Sequence, residues 1–449
     1  MREIVIHDTQ SGELSRLRPR EQGRVGIYAC GPTVYSRIHI GNARPFVVFS
    51  LLARFLEHEG HEVDLVVNVT DVNDKIYDAA AVQGVPSAEL AEQMTEAYRV
   101  DTGALGLGRP THEPLASETI GPIVDYIQTL IDGGHAYAVG GDVYFHVRSD
   151  EEYGRLSHRR LDKMDQGEDV DGAERKRDPL DFALWKAHKQ GEDTSWPAPW
   201  GEGRPGWHIE CSAMAEGLLG VGFEIHGGGS DLLFPHHENE ASQTRSARGA
   251  ELARIWMHNG MIQFTGEKMA KSVGNIALLH EVVEQYGAEA VVMYLISGHY
   301  RQPLAFSDAA LRQARANVER IREATRRLAA GEDSPPQLEP LRDGFFDALA
   351  RDFNTPEALA TLNEWLRAAG AGEQPAGDSH LREMLAVLGL ESVLAPARQA
   401  PKEVLALAEQ REQARAGRDF TAADALREEI AVLGWEVRDG EQGFELLPL

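Results

Sequence analysis

Two short, mainly apolar runs near the amino terminus set the pattern of the chain. Residues 24–29 (RVGIYA) and 62–68 (EVDLVVN) have the length and composition of buried parallel strands. Between them, from Asn42 onward, phenylalanine and leucine side chains recur with the helical period. Further helical patterns follow at residues 76–83, 87–105 and 117–131. This alternation predicts an α/β fold that opens with a Rossmann-like, doubly wound parallel sheet.

The pattern changes in the middle of the chain. Residues 136–147 alternate between apolar and polar positions around a Gly-Gly pair, which is typical of a β-hairpin. A polar, glycine-rich stretch follows, and a strand-like run resumes at residues 221–226. We therefore expect one sheet in two halves interrupted by an insertion. The expected bounds are residues 1–125 and 205–250 for the halves and 126–204 for the connective insertion.

The rest of the chain has mostly helical patterns. Glycine-rich breaks at residues 331–340 and 370–377 separate helices that can form a bundle. A proline-bounded linker then precedes two more helices and an apparent hairpin. We expect three further divisions in this part of the chain. They are a region at residues 251–310 that follows the sheet, a helical bundle at 311–396 and a small α+β module at 397–449.

The chain is strongly acidic. Its 449 residues include 45 basic and 71 acidic side chains, a formal charge of −26, which argues against a general nucleic-acid-binding protein. Any contact with RNA must use a local basic surface. Arg315, Arg322 and Arg326 share one stripe of a predicted helix. This stripe either contacts RNA or is a solvated face paired with Glu319 and Glu323.

Cysteine content and hydropathy indicate the compartment. Cys30 and Cys211 are the only two cysteines, too few for a disulfide framework and typical of a reducing environment. No apolar run reaches the length of a membrane span, and the first residues carry no signal-peptide pattern. We expect a cytoplasmic protein with no membrane partner.

A strand, a tight turn and a helix start adjoin between Tyr28 and Arg44. The Gly31-Pro32 pair ends the strand, and the helical pattern begins near Asn42. In α/β sheets phosphate-bearing ligands bind at such junctions, because free N–H groups and the helix dipole meet there. His39-Ile40-Gly41-Asn42 occupies the junction, and it is neither a GxGxxG nor a P-loop motif.

This segment resembles the first signature of class I aminoacyl-tRNA synthetases, in which the motif is His-Ile-Gly-His. The preceding Cys30-Gly-Pro-Thr-Val-Tyr35 resembles the cysteinyl-tRNA synthetases among them. Residues 264–275 contain Lys268-Met-Ala-Lys271 and resemble the second class I signature, Lys-Met-Ser-Lys-Ser. Residues 178–186 and 196–211 also resemble segments of the same family.

The resemblance implies an ATP-dependent cysteine-tRNA ligase. It implies that ATP is bound, with Mg²⁺, at the first signature and at the lysine loop, and that the reaction forms cysteinyl-adenylate. The catalytic residues would be His39, Asn42, Lys268 and Lys271, and the ATP-binding residues the same four with Gly41. Charge develops on phosphoryl oxygens in this reaction, so positioned donors and cations should supply most of the rate.

Cys30, Cys211, His236 and Glu240 form a candidate metal site. His236 and Glu240 are four residues apart and would share one helix face, whereas His237 and Glu238 would point away from it. Spacing alone leaves open two buried free cysteines and a surface histidine. The resemblance implies that all four residues bind Zn²⁺. A soft metal would then select the thiolate of cysteine over the hydroxyl of serine.

The resemblance also implies the remaining substrate contacts. Cys30, Thr70, Trp207 and Asp231 are the expected cysteine-binding residues, although Trp207 can equally be a core residue. The expected partners are L-cysteine, ATP and tRNA(Cys), and the chain is expected to be a monomer. Residues 251–310 would be a stem-contact region with the lysine loop, the bundle at 311–396 would bind tRNA, and the last domain would be an anticodon-binding module. Asn42, Asn73 and Ala270 depart from the family pattern.

Two alternatives remain at this point. A ligase that joins cysteine to an amino sugar in mycothiol synthesis shares the activation chemistry but needs no anticodon module. A catalytically silent, RNA-binding paralogue would be expected to lack the lysine loop or a zinc ligand, and the sequence retains both.

Overall fold

A computed structural model describes residues 2–164, 173–264, 277–372, 374–395, 400–440 and 443–448. The chain divides into two compact units, residues 1–393 and 394–449, which are described separately. The strands of the first unit are β1 Val5–Asp8, β2 Glu13–Arg16, β3 Arg24–Ala29, β4 Glu62–Val67, β5 Ala136–Val139, β6 Asp142–Phe145, β7 Phe182–Ala187, β8 Gly203–Pro205, β9 Phe223–Gly229, β10 Ala253–Asn259, β11 Ile262–Phe264 and β12 Leu304–Phe306. Its helices are α1 Ile40–His58, α2 Asp74–Gln83, α3 Ser87–Gly103, α4 Ile120–Asp132, α5 Trp207–Leu219, α6 Glu238–Arg248, α7 Leu279–Tyr286, α8 Ala288–Leu295, α9 Asp308–Thr325, α10 Glu339–Ala350, α11 Thr355–Ala369 and α12 Ser379–Val387.

The central sheet has four parallel strands in the order β10-β9-β3-β4. On one face Tyr28 and Val66, which are neighbours in register, pack with Met214 of α5. On the other face a Cβ at Gly227 would lie 2.2 Å from the ring of Phe49 on α1, so only glycine lets strand and helix approach this closely. Helices therefore cover both faces, and the predicted doubly wound sheet is confirmed.

One predicted boundary differs from the structure. The second half of the sheet was expected to end at residue 250, but β10, at residues 253–259, pairs in parallel with β9 as the edge strand. Its apolar side chains, including Ile255 and Met257, are buried. Arg254, His258 and Asn259 obscured this strand, because they leave only a short apolar run in the sequence.

The insertion carries its own antiparallel sheet, in the order β5-β6-β7-β8. The predicted hairpin is confirmed, since β5 and β6 pair around Gly140 and Gly141, both with positive φ. One face of this sheet shares a buried core with α4 and α5, through Phe182 and Trp185 among others. The sheet is thereby packed against α5, the helix that carries Cys211.

A second difference concerns the start of α6. The sequence predicts a helix that opens with Pro235 in its first turn, but regular α-helix begins at Glu238. The preceding residues, Leu233–His237, form a wider turn in which Phe234 has extended torsion angles, φ −142° and ψ 131°. His236 therefore precedes the helix instead of lying within it.

The carboxyl-terminal part of the first unit is helical, as predicted. On α9, Arg322 pairs with Glu319 at 2.6 Å, and Arg326, which caps the end of this helix, pairs with Glu323 at 3.1 Å. These ion pairs favour the interpretation of the arginine stripe as a solvated, internally paired face.

The second unit is a small α+β module. It consists of α13 Lys402–Ala416, α14 Phe420–Val432, β13 Trp435–Gly440 and β14 Gly443–Pro448. The two strands pair antiparallel, and Val404, Ile430 and Trp435 lie in its buried core. Of the helices in the described ranges, none combines the length and apolar character that a bilayer crossing requires.

Candidate active site and metal centre

The segments that leave β3 and β4 meet at the carboxyl edge of the central sheet. The Gly31 amide donates to Asn68 Oδ1 at 2.9 Å, and the backbones of Thr33 and Thr70 form a parallel β-bridge. A Cβ at Gly31 would lie 1.8 Å from the Asn68 carbonyl oxygen, so the close approach requires glycine. The structure thereby brings Cys30 and Thr70 to one edge, beside the start of α1.

The start of α1 is organised by its own first turn. His39 is the N-cap, and its Nδ1 accepts from the Gly41 amide at 3.0 Å. Asn42 Oδ1 in turn accepts from the His39 amide at 3.2 Å, which completes a capping box. A neutral His39 must then carry its proton on Nε2, and exposed Asn42 keeps its Nδ2 amide as a donor. Both residues can therefore donate to an anion at this helix terminus.

The four predicted metal ligands converge in a buried cluster. Cys30 Sγ lies 3.8 Å from Cys211 Sγ and 3.7 Å from Glu240 Oε1, and His236 Nε2 lies 3.2 Å from the same Glu240 oxygen. Their donor atoms all lie within 4.8 Å of one another. The four residues come from the end of β3, from α5, from the turn before α6 and from α6 itself.

A second layer of histidines orients this cluster. His226 Nε2 contacts Glu240 Oε2 at 2.9 Å, and His208 Nδ1 contacts His236 Nδ1 at 2.9 Å. All of these side chains are buried. Such contacts fix the orientation and tautomer of ligand side chains in metal sites.

His237 differs from the sequence-based expectation. It was expected to point away from the cluster, but its Nε2 lies 3.9 Å from Glu240 Oε1. Cys30, His226, His237 and Glu240 consequently form a second group with donor atoms close enough to share an ion. The wide turn before α6 explains this, because ideal helical spacing does not apply there. Glu238 does lie elsewhere, and it accepts from the backbone amides of Gly154 and Ser157 in the insertion.

The donor set containing both cysteines fits zinc best. Two thiols, an imidazole and a carboxylate are ligands that Zn²⁺ accepts, and the alternative group contains only one sulfur. His236 Nε2 is buried, has no hydrogen-bond partner among the described residues and faces a carboxylate oxygen. Burial, with Cys211 and Glu240 nearby, raises the pKa of the Cys30 thiol, and burial lowers the pKa of His236. A bound cation would oppose the first shift and fill the gap between these atoms.

Trp207 lies against the cluster. Its ring stacks on His236 with centroids 4.2 Å apart and planes 25° apart. Its side chain is half-buried, so it is not a simple core residue. It can wall a pocket next to the metal centre.

Asp231 extends from the end of β9. The Ser230 amide donates to the Asn259 carbonyl at 2.8 Å, which ties this loop to the end of β10. Solvent reaches the Asp231 carboxyl, but partial burial still raises its pKa, against the effect of nearby Lys75. An ammonium group that bound there would favour the ionised carboxylate.

Sequence reasoning missed several buried polar residues of the site. His208 and His226 orient the predicted ligands, and Glu210, next to Cys211, is fully buried. Burial, with Asp71 nearby, raises the pKa of Glu210 well above its ordinary value. The only available signal was the presence of ionisable residues in otherwise apolar strand and helix patterns. Lys268 and Lys271 of the second signature lie outside the described residues.

Comparisons with known proteins identify the family of the chain. Residues 16–316 match the family model described as "tRNA synthetases class I (C) catalytic domain". Relatives named "Cysteine--tRNA ligase" include that of Alkalilimnicola ehrlichii, 45% identical over 458 residues that cover 98% of both chains. The relative from Caldicellulosiruptor saccharolyticus is 43% identical over 460 residues, which cover 98% of this chain and 99% of the relative. The chain belongs to the class I cysteinyl-tRNA synthetase family.

Solved structures support the fold assignment of this family member. It is similar to LeuRS of Agrobacterium radiobacter K84 in a ternary complex with tRNA and LeuAMS, with a TM-score of 0.61 at 12% identity, covering 85% of each chain. It is also similar to Mycobacterium tuberculosis methionyl-tRNA synthetase in complex with methionyl-adenylate, with a TM-score of 0.57 at 16% identity. That match covers 83% of this chain and 89% of the other. At such identities the likeness concerns the fold alone.

Proposed function

We propose that the chain is a cysteine-tRNA ligase, which activates L-cysteine with ATP and transfers the cysteinyl group to the 3′-terminal adenosine of tRNA(Cys). The observation that carries this proposal is the buried group of Cys30, Cys211, His236 and Glu240 beside the anion-binding start of α1. One edge of the sheet would thus combine a thiol-selective centre with a phosphate site. Family membership and the names of the relatives support the same reaction.

The metal-binding residues would provide amino-acid selectivity. Zn²⁺ held by Cys30, Cys211, His236 and Glu240 would bind the thiolate of cysteine in preference to the hydroxyl of serine. An apolar pocket separates such near-isosteres by only about a hundredfold. In this proposal Trp207 walls the pocket, Thr70 lines it and Asp231 pairs with the substrate ammonium or a ribose hydroxyl.

The start of α1 would serve the activation step. A carboxylate oxygen of cysteine bonds to the α-phosphorus of ATP, and the bond from that phosphorus to the leaving pyrophosphate breaks. His39 Nε2–H and Asn42 Nδ2 would donate to phosphate oxygens. Gly41, which has no side chain, would allow the phosphate to approach the backbone closely. Lys268 and Lys271 would neutralise the outer phosphates together with Mg²⁺, which enters with the nucleotide.

Transfer would use the later parts of the chain. The 2′-hydroxyl of the terminal adenosine attacks the cysteinyl carbonyl, loses its proton and displaces AMP. We assign residues 126–204 and the part of 251–310 that follows β10 to the acceptor end and stem, the bundle at 311–396 to the tRNA body and the module at 397–449 to the anticodon. We also expect a cytoplasmic monomer.

ATP-pyrophosphate exchange tests the proposal directly. Native and metal-stripped protein are assayed with cysteine and with serine, and charging of tRNA(Cys) is measured on the same preparations. We expect exchange that requires both cysteine and zinc, followed by charging. Exchange without charging would favour the amino-sugar ligase, and the absence of any exchange would favour a silent paralogue.

A further inference from the structure

Arg44 is a fully buried cation on the helix that carries the first signature. It lies on α1 just beyond Asn42, and its relative exposure is 0%. Burial lowers its pKa to about 10. A buried guanidinium normally requires a carboxylate partner, so the identity of its contacts is informative.

The guanidinium contacts backbone carbonyls. Arg44 Nη1 donates to the Gly260 carbonyl at 2.5 Å and lies 3.5 Å from the Met261 carbonyl. Nη2 donates to the His299 carbonyl at 3.3 Å. Within the described part of the chain, no carboxylate forms an ion pair with it. The planar, forked donor array of arginine suits this geometry, whereas the three donors of a lysine ammonium all lie on one nitrogen and cannot span the separated carbonyls in the same way.

The carbonyls that Arg44 holds belong to a junction between the end of β10 and the segment before β12. Gly260 follows β10 directly, and its amide donates to the Tyr300 carbonyl at 2.7 Å. A Cβ at Gly260 would lie 2.4 Å from the carbonyl group of Gln302, so this junction is tightly packed. The preceding residue, Asn259, accepts from Ser230, which positions the loop of Asp231.

We propose that Arg44 is a positioning residue for ATP. It joins the helix whose first turn is proposed to bind phosphate to the end of β10 and the adjoining Asp231 loop, and so would fix the two sides of the proposed nucleotide site relative to each other. This inference rests on the proposed ligase function. A displacement of about 1 Å between reacting groups can cost about a hundredfold in rate, so loss of this junction should slow activation.

The same helix offers a matched control. Arg54 also donates to backbone carbonyls, those of Leu107 at 3.4 Å and Ala386 at 2.7 Å, and it pairs with Glu391. Its side chain is 25% exposed, and it lies near the opposite end of α1. Arg54→Lys therefore removes a comparable fork of hydrogen bonds far from the nucleotide.

The experiment separates the two chemical steps. Arg44→Lys, Arg54→Lys and the wild-type protein, each loaded with zinc, are compared in rapid-quench assays of adenylate formation. Transfer to tRNA(Cys) is then measured from preformed, bound cysteinyl-adenylate. For Arg44→Lys we expect adenylate formation to be slower by about 10- to 100-fold with a raised KM for ATP and near-normal transfer. Arg54→Lys should match the wild type in both steps.

The other outcomes overturn the inference or the function separately. Equal slowing of both steps in Arg44→Lys, or a rate unchanged from wild type, would show that Arg44 serves only the general fold. Arg44→Gln provides a second variant, and if neither variant unfolds cooperatively, the specific positioning role is also rejected. An absence of adenylate from the wild-type protein would reject the proposed function itself.

Discussion

The two ends of the candidate site are built in opposite ways. The candidate metal centre draws Cys30, Cys211, His236 and Glu240 from four separated segments and buries them all. The candidate phosphate-binding end takes its residues from a single helical turn that starts at His39, and it leaves Asn42 exposed. One end therefore depends on the whole fold and the other mainly on local backbone geometry.

This difference matches the two tasks. Discrimination between cysteine and serine requires a rigid, dry environment in which ligand atoms cannot rearrange, and the histidines behind the cluster supply that rigidity. ATP, in contrast, must enter, react and leave as AMP and pyrophosphate, which favours an open helix terminus. Damage should therefore affect metal and substrate selection at one end, and only the rate of activation at the other.

The largest expected effect is at the metal centre. Cys211→Ala removes one of the two sulfurs, which lie 3.8 Å apart, and we expect the purified protein to lose its zinc. Substitution of residues that hydrogen-bond to metal ligands lowers metal affinity or activity by about 10- to 100-fold. Loss of a direct ligand should therefore reduce cysteine-dependent exchange by more than about a hundredfold. Metal content by mass spectrometry and exchange rates provide the measurement. A variant that kept both zinc and activity would show that the group with His226 and His237 is the true centre.

The next largest effect is at the helix start. His39→Ala removes both the cap of Gly41 and the Nε2 donor, and we expect adenylate formation to slow by about a hundredfold. Helix stability should fall by about 1 kcal/mol. His39→Asn is the matched control because asparagine can still cap the helix. If His39→Asn regains stability and also full rate, His39 is only a cap and the assigned catalytic role is wrong.

The histidines behind the cluster should have an intermediate effect. His226→Gln disturbs the contact with Glu240 Oε2, and we expect zinc affinity to fall about 10- to 100-fold while activity returns at saturating zinc. Competition with a chelator measures the affinity. Tyr126→Phe removes a buried hydrogen bond to Thr244, one turn further along α6, and should leave zinc affinity unchanged. Equal losses in the two variants would indicate a general effect on packing.

Acid should destabilise the fold beside the cysteine and histidine cluster, where the buried His258 Nε2 contacts His237 Nδ1 at 2.8 Å. Burial, with His226 and His7 nearby, lowers the pKa of His258 to about 3, below its ordinary value of about 6.5. Between pH 6.5 and 3 this histidine is therefore protonated in the unfolded chain but neutral in the folded chain. Its contribution to the free energy of unfolding is complete above pH 6.5. It should be lost as pH falls, by up to about 1.4 kcal/mol per pH unit between pH 6.5 and 3.

Denaturant unfolding at pH 7.5 and 5.5 tests this contribution. His258→Asn should show a smaller loss of unfolding free energy between these two values than the wild-type protein. His188→Asn, on the half-exposed surface of the insertion, is the control and should follow the wild type. Identical pH slopes for all three proteins would contradict a buried, neutral His258.

The same contrast explains what the sequence could reveal. The strand, turn and helix around His39 are adjacent in the chain, so local patterns located them, and the doubly wound sheet followed from alternating periodicities. The metal ligands are up to 210 residues apart, and only the family resemblance selected them. The sequence analysis did not identify His208, His226 or Arg44, because their roles arise from burial beside distant segments. It also missed the wide turn that brings His237 toward Glu240.

The smallest expected effect concerns the departure from the family motif. Asn42→His restores the histidine of the first signature, and it exchanges one neutral donor at the helix start for another. We expect the rate of adenylate formation to change by at most about fivefold, the equivalent of about 1 kcal/mol, because a single neutral hydrogen bond contributes about that much. Rapid-quench measurement at saturating ATP and cysteine provides the test, with thermal unfolding to detect any loss of the capping contact to the His39 amide. A gain of a hundredfold would mean that Asn42 impairs catalysis, and it would favour a paralogue that has begun to lose the ligase activity.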